Sequence, residues 1–334
     1  MLEIRLRTAE DKRRSILSDE ILLESGTNEV EILEFYVGGQ SYGINVAKVM
    51  QIELLRENLV TKTPGAGRDG FMGVFLWRGT TLPMLDLAEV LGMEKKPAVE
   101  RPIVLVTEFN AVRYAFLVDG VNQVYRSGWE QIKPISHFLG KYSSRTTATL
   151  EVEKMVNGQG EINEILLLDF ESIVGEYSPE TKLGYRQVEI PEIREPKRRE
   201  EVRIVLAEDS AFLREMLIFN LKKAGYIQTS FFENGQAALD YLTGLNRKSQ
   251  ESGRPFAESV SIVITDIEMP LMDGLTLCRR IRKDLKLEKL PVIFFSSLIN
   301  EQMMVKCKEV GGNGQITKPE LGSLVSLVDE LCLR

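Results

Sequence analysis

The sequence predicts a multidomain fold: an all-β half followed by an α/β half wound on both faces of a parallel sheet. Three observations predict it. Between about residues 30 and 175, short apolar segments alternate with period two. From residue 203 the rhythm changes to continuous apolar strands in turn with helical runs. Between them, residues 176–202 are dense in charge and hold three prolines, too polar to bury a core. A chain of 334 residues is also long for one hydrophobic core.

In chain order, residues 1–29 form an extension in which Ile16, Leu17, Ile21, Leu22 and Leu23 give a short amphipathic helix. Its apolar stripe packs on the β half or docks a partner. In residues 30–175, Leu33, Phe35 and Val37 precede a Gly38-Gly39 turn, and Tyr42, Ile44 and Val46 follow it. RPIVLVTEF and VRYAFLVDG pair around Asn110, and ATLEVEKMV pairs with EINEILLLDF around Asn157 and Gly158. That rhythm predicts a barrel or a pair of small barrels. Residues 176–202 read as a linker, with Lys197, Arg198 and Arg199 on a solvated face. Residues 203–334 give five strands, RIVLA, IQTSFF, SIVIT, PVIFF and GQIT, each followed by a helix. Residues 246–259 read as an exposed, mobile loop.

Composition narrows the function. A formal charge of -7 gives no footing for nucleic acid, whose binding rests on clustered Lys and Arg. No apolar run approaches the ~18 residues of a membrane span, so direct membrane insertion is not expected and a cytoplasmic location is. Cys278, Cys307 and Cys332 are widely spaced and read as reduced structural thiols. His137 is the sole histidine and reads as a loop residue. A zinc cluster or a Ser/His/Asp triad would lack its usual parts, and a phosphoryl donor must come from outside.

The polar residues that carry chemistry follow apolar strands: Glu208 and Asp209 after RIVLA, Asp266 after SIVIT, Ser296 after PVIFF, and Lys318 after QIT. In an open parallel sheet those ends share one edge, where ligands bind. Three carboxylates gathered there need protons or a cation, and an all-oxygen set suits Mg²⁺. A carboxylate beside Mg²⁺ can attack phosphorus, with Lys318 offsetting the phosphoryl charge and the Ser296 hydroxyl bonding one of its oxygens.

The ED pair at 208 and 209, DIEMPLMDG with Asp266, Ser296, and the KP pair at 318 and 319 together resemble the response-regulator receiver family, similar to CheY. The resemblance implies a flavodoxin-like fold with Asp266 as phosphoryl acceptor, Asp209 and Asp266 on Mg²⁺, Glu208 acting through water, and Glu268 giving its backbone carbonyl. Met269, Pro270, Asp273 and Gly274 would shape the turn after the acceptor. Gln315 stands where the family often has an aromatic switch, and the Glu268 side chain would face the route of attacking water.

FYVGGQSYGINVAKV, GFMGVFLWRGTTLPMLDLAEVLG, FLVDGVNQV and ILLLDFESIV, in that order, resemble the CheW family, which links chemoreceptors to the histidine kinase CheA. That resemblance implies a double β-barrel with no catalytic site. Arg78 in the LWRG turn would be a receptor- or kinase-contact residue, and Trp77 and Phe75 core residues. CheW-like followed by receiver is the arrangement of the CheV family, which implies a phosphorylation-regulated chemotaxis adaptor at receptor arrays, or a phosphate sink for CheA. The rivals are an Mg²⁺-dependent phosphohydrolase with Glu268 as an acid two residues from the nucleophile, and a transcriptional regulator, for which no helix-turn-helix is seen.

Overall fold

The computed structural model describes residues 28–67, 69–93, 101–109, 112–135, 145–156, 159–177, 197–298 and 301–333. The expected N-terminal helix and His137 lie outside them. The N-terminal domain has β1 (Glu29–Val37), β2 (Gln40–Asn45), β3 (Val49–Leu54), β4 (Val60–Thr61), β5 (Phe71–Trp77), β6 (Thr80–Asp86), β7 (Ile103–Phe109), β8 (Val112–Val118), β9 (Gly120–Gly128), β10 (Ile132–Pro134), β11 (Thr146–Val156) and β12 (Gln159–Leu168). Helices α1 (Leu87–Val90) and α2 (Phe170–Tyr177) follow β6 and β12.

The strands form two six-stranded sheets, ordered β10-β11-β12-β2-β1-β9 and β3-β7-β8-β6-β5-β4. The three expected hairpins, β1–β2, β7–β8 and β11–β12, are all antiparallel pairs. Gly38 and Gly39 take φ of 60° and 80°, the left-handed conformation a two-residue turn requires. Alternate side chains of the two sheets meet in one core: Leu33, Phe35 and Val37 from β1 face Leu105, Phe109 and Phe116. Phe170, Ile173 and Val174 of α2 enter the same core. The Phe170 ring stacks on Phe109 at 5.5 Å and meets Phe116 edge-on at 5.0 Å. α2 is thereby fixed to the domain by its apolar side.

The C-terminal domain opens with α3 (Lys197–Glu200) and continues β13 (Arg203–Ala207), α4 (Ala211–Lys223), β14 (Gln228–Phe232), α5 (Gly235–Ser252), β15 (Ile262–Thr265), α6 (Gly274–Lys283), β16 (Val292–Ser296), α7 (Glu301–Glu309), β17 (Gly314–Thr317) and α8 (Leu321–Cys332). Its sheet is parallel throughout, in the order β14-β13-β15-β16-β17. Leu213, Leu217 and Leu221 of α4 and Leu321, Leu324 and Val328 of α8 cover one face. Ala238, Leu239 and Leu242 of α5, with Leu277, Cys278 and Ile281 of α6 and Cys307 of α7, cover the other. This is the doubly wound sheet the strand–helix rhythm predicts.

Two local expectations fail. α5 runs through Ser252, so much of the expected loop at 246–259 is helix; it ends at Gly253, whose φ of 69° provides the C-terminal cap. Phe256 then packs on the core beside α5. Arg199, expected on a solvated face, is 4% exposed. It forks onto Asp329 through Nε at 2.9 Å and Nη2 at 2.5 Å, and donates from Nη1 to the Ala224 carbonyl at 2.9 Å. A guanidinium with this many partners can be buried where an unpaired one could not.

Candidate functional site

The C-terminal ends of β13, β15, β16 and β17 deliver the predicted polar residues to one edge. Asp266 directly follows β15, and its backbone N–H donates to the Ala207 carbonyl at 2.9 Å, which ties it to the end of β13. Lys318 directly follows β17 and is 1% exposed. Its Nζ lies 2.8 Å from Asp266 Oδ2 and 3.0 Å from Glu208 Oε2. The loop after Asp266 closes tightly: Gly274 donates to the Ile267 carbonyl, and a Cβ at 274 would come within 2.0 Å of the Asp266 carbonyl oxygen. Asp273 caps α6 by accepting from Thr276 N at 2.7 Å. The peptide bond Lys318–Pro319 is cis.

Burial alone would lower the Lys318 pKa, but Asp266, Glu171 and Glu208 together hold the ammonium charged, with its pKa well above the usual lysine range. Burial, with the charges of Asp266 and Glu171, pushes the Glu208 carboxyl up to about 8 against the pull of Lys318. Burial, then Glu208 and Asp266, raise Asp209 well above the usual aspartate range. Among the described residues, no hydrogen bond or ion pair reaches the Asp209 carboxylate. A cavity of about 100 Å³ opens beside it, lined also by Asp266, Glu268, Lys48 and Asn45. An unpartnered acid next to Asp266, with room for several waters, is a donor set that fits a hydrated divalent cation. Asp209, Asp266 and the Glu268 carbonyl are the groups that would hold it. Glu208, whose Oε2 is on Lys318 and whose Oε1 accepts from Ser210 N at 3.3 Å, would act at a remove.

The CheW-like domain family matches residues 31–177, and the response regulator receiver domain family matches residues 204–329. The chain is a CheV-like fusion of these two domains. Chemotaxis protein CheV3 of Helicobacter pylori is 29% identical over 304 residues, spanning 87% of this chain and 91% of its own length. Chemotaxis protein CheV2 of the same organism is 26% identical over 319 residues, spanning 88% and 92%. Among solved structures, the scaffolding protein TtCheW from Thermoanaerobacter tengcongensis covers 42% of this chain and 88% of its own, at 17% identity and a TM-score of 0.35. Receiver domains generally bind Mg²⁺. No helix among the described residues is long and apolar enough to cross a membrane.

The CheW-like domain also reaches into the receiver's site, which sequence reasoning missed. Lys48, only 5% exposed, pairs with Glu268 Oε2 at 2.8 Å, while Asn45 Nδ2 donates to Glu268 Oε1. The Glu268 side chain is therefore held by the other domain. Asp169 caps α2 by accepting from Ser172 N at 2.9 Å, and its second oxygen accepts from Ser210 Oγ at 2.9 Å. Burial pushes its carboxyl up to about 6. Glu171 places Oε2 3.2 Å from Lys318 Nζ and accepts from Ser297 Oγ at 2.6 Å. Burial alone would raise its pKa; Lys318 and Lys48 reverse that and bring it down to about 2. Ser296 is buried at the end of β16 with its Oγ accepting from Leu298 N, and the hydroxyl of the next residue, Ser297, donates to Glu171.

Arg78 lies apart from these contacts, on the turn between β5 and β6. It is exposed, with its guanidinium 4.9 Å from the Trp77 ring centre. Trp77 and Phe75 are buried, and Trp77 Nε1 donates to Gln51 at 3.0 Å, so both are core residues.

Proposed function

We propose that this chain is a chemotaxis adaptor regulated by phosphorylation of Asp266. The observation that carries the proposal is the buried Lys318 ammonium 2.8 Å from the Asp266 carboxylate, beside a pair of acids at the ligand-binding edge of the sheet. In this reading a carboxylate oxygen of Asp266 attacks the phosphorus of a donor. The bond to the donor's leaving group breaks, and an acyl phosphate forms. Lys318 holds its charge in place against the phosphoryl oxygens, and the Ser297 hydroxyl, or that of Ser296, can donate to one of them. A bound Mg²⁺ would offset the remaining negative charge. The CheW-like domain, with Arg78 as a contact residue, would couple chemoreceptors to the histidine kinase CheA, which would serve as donor. The site of action would be the receptor array.

Acetyl phosphate with Mg²⁺ should label wild type once per chain, while Asp266→Asn takes no label. Arg78→Glu should disperse the protein from receptor clusters and leave labelling intact. Label persisting in Asp266→Asn would refute the acceptor assignment, and sustained turnover of a small phosphate ester would favour the phosphohydrolase instead.

A further inference from the structure

One side chain of the CheW-like domain already makes the contacts that a phosphoryl group on Asp266 would need. Phe170, Ile173 and Val174 hold α2 in the core between the two sheets, and Glu171 leaves the helix on its other side. Gly175 lets that side approach the receiver, since a Cβ there would come within 2.7 Å of the Phe212 ring on α4. The Glu171 carboxylate lies 3.2 Å from Lys318 Nζ and 3.7 Å from Lys48 Nζ, and accepts from Ser297 Oγ at 2.6 Å. One of its oxygens lies within 4.8 Å of a carboxylate oxygen on both Asp266 and Glu208.

Resting on the phosphorylation reading above, we propose that the receiver's phosphoryl pocket is also the docking site of α2. The Glu171 carboxylate occupies it in the unphosphorylated chain, so phosphorylation of Asp266 and closure of the two domains exclude one another. A phosphoryl group would bring further negative charge to a pocket where Lys48 and Lys318 already face Glu171, Glu208, Asp209, Asp266 and Glu268. It would also compete for the same ammonium and the same hydroxyl-bearing segment. Other closing contacts fall on the loop that carries Asp266. Leu271 N donates to the Trp129 carbonyl at 2.7 Å, and Asp273 N donates to Asn28 Oδ1 at 3.1 Å. Losing Glu171 from the pocket therefore weakens one contiguous interface. The coupling is reciprocal: what favours closure slows phosphorylation, and what loads Asp266 opens the chain.

The test uses the full chain. Its radius of gyration is measured by solution X-ray scattering with and without beryllofluoride and Mg²⁺, a stable mimic of the acyl phosphate, and labelling by acetyl phosphate is timed. Wild type should expand when loaded. Glu171→Ala should be expanded before loading and should label several-fold faster than wild type. Glu171→Gln, close to isosteric, and Lys48→Ala, which removes a second closing contact, should move both measurements the same way and guard against a folding defect in a single variant. An unchanged radius on loading, or labelling no faster in any of the three variants, would overturn the inference and leave the acceptor assignment standing. If neither wild type nor variants took label at Asp266, both readings would fall together.

Discussion

Lys48 of the CheW-like domain and Glu268 of the receiver form an ion pair at 2.8 Å, with both side chains mostly buried. Glu268 is two residues from Asp266, so the pair ties the adaptor directly to the acceptor loop. Removing one partner of such a pair leaves the other charge desolvated and alone. In a double-mutant cycle of Lys48→Ala and Glu268→Ala, unfolding free energies should give a coupling of about 0.5–3 kcal/mol. A coupling indistinguishable from zero would mean that the domains do not hold this contact in solution.

Arg199 supports the receiver from outside its sheet. Its forked contact with Asp329 is reinforced by Tyr226, whose hydroxyl donates to Asp329 Oδ1 at 2.5 Å and whose ring lies 5.6 Å from the guanidinium. Arg199→Ala should lower stability in urea unfolding by as much as about 3–5 kcal/mol, the range for breaking a buried pair. Arg199→Lys should recover only part of it, because an ammonium cannot reproduce the planar fork. Full recovery by lysine would reduce the contact to a point charge.

Period and punctuation in the sequence reveal most of this architecture. The three hairpins follow from alternation around Gly38-Gly39, Asn110 and Asn157-Gly158, and the strand-end rule places Glu208, Asp209, Asp266 and Lys318 at one edge. Three features escaped for separate physical reasons. Residues 246–252 are polar, so the helix that continues through them leaves little apolar periodicity to read. Arg199 sits in a run of like charges, and the partners that make its burial tolerable, Asp329, Tyr226 and the Ala224 carbonyl, are distant in sequence. Lys48 and Glu171 act on residues more than a hundred positions away, and no local pattern encodes such contacts. Within DFESIV, the apolar positions explain the anchoring of α2 but give no sign of what Glu171 faces.

The raised carboxyl groups at the site predict how Mg²⁺ binding should depend on pH. Glu208 moves from an ordinary value of 4.5 up to about 8, and Asp209 is raised as well. Between those limits the folded protein holds a proton on Glu208 that the unfolded chain has released. In the metal-free protein this group's contribution to stability is therefore full below about pH 4.5 and falls as pH rises towards 8. A cation favours the charged carboxylates and competes with the same protons, so its affinity should run the other way. The Mg²⁺ dissociation constant should tighten from pH 6.5 to 8.5, by at most about tenfold per pH unit for each proton displaced, and level off above the raised values. Trp129 lines the same cavity as Asp209 and Asp266 and offers an intrinsic fluorescence signal for the titration. The stabilisation given by saturating Mg²⁺ in thermal unfolding should grow over the same interval. Equal dissociation constants at pH 6.5 and 8.5 would show that these acids are already ionised at neutral pH. In that case Lys318 and Lys48 would offset the crowded charge by themselves.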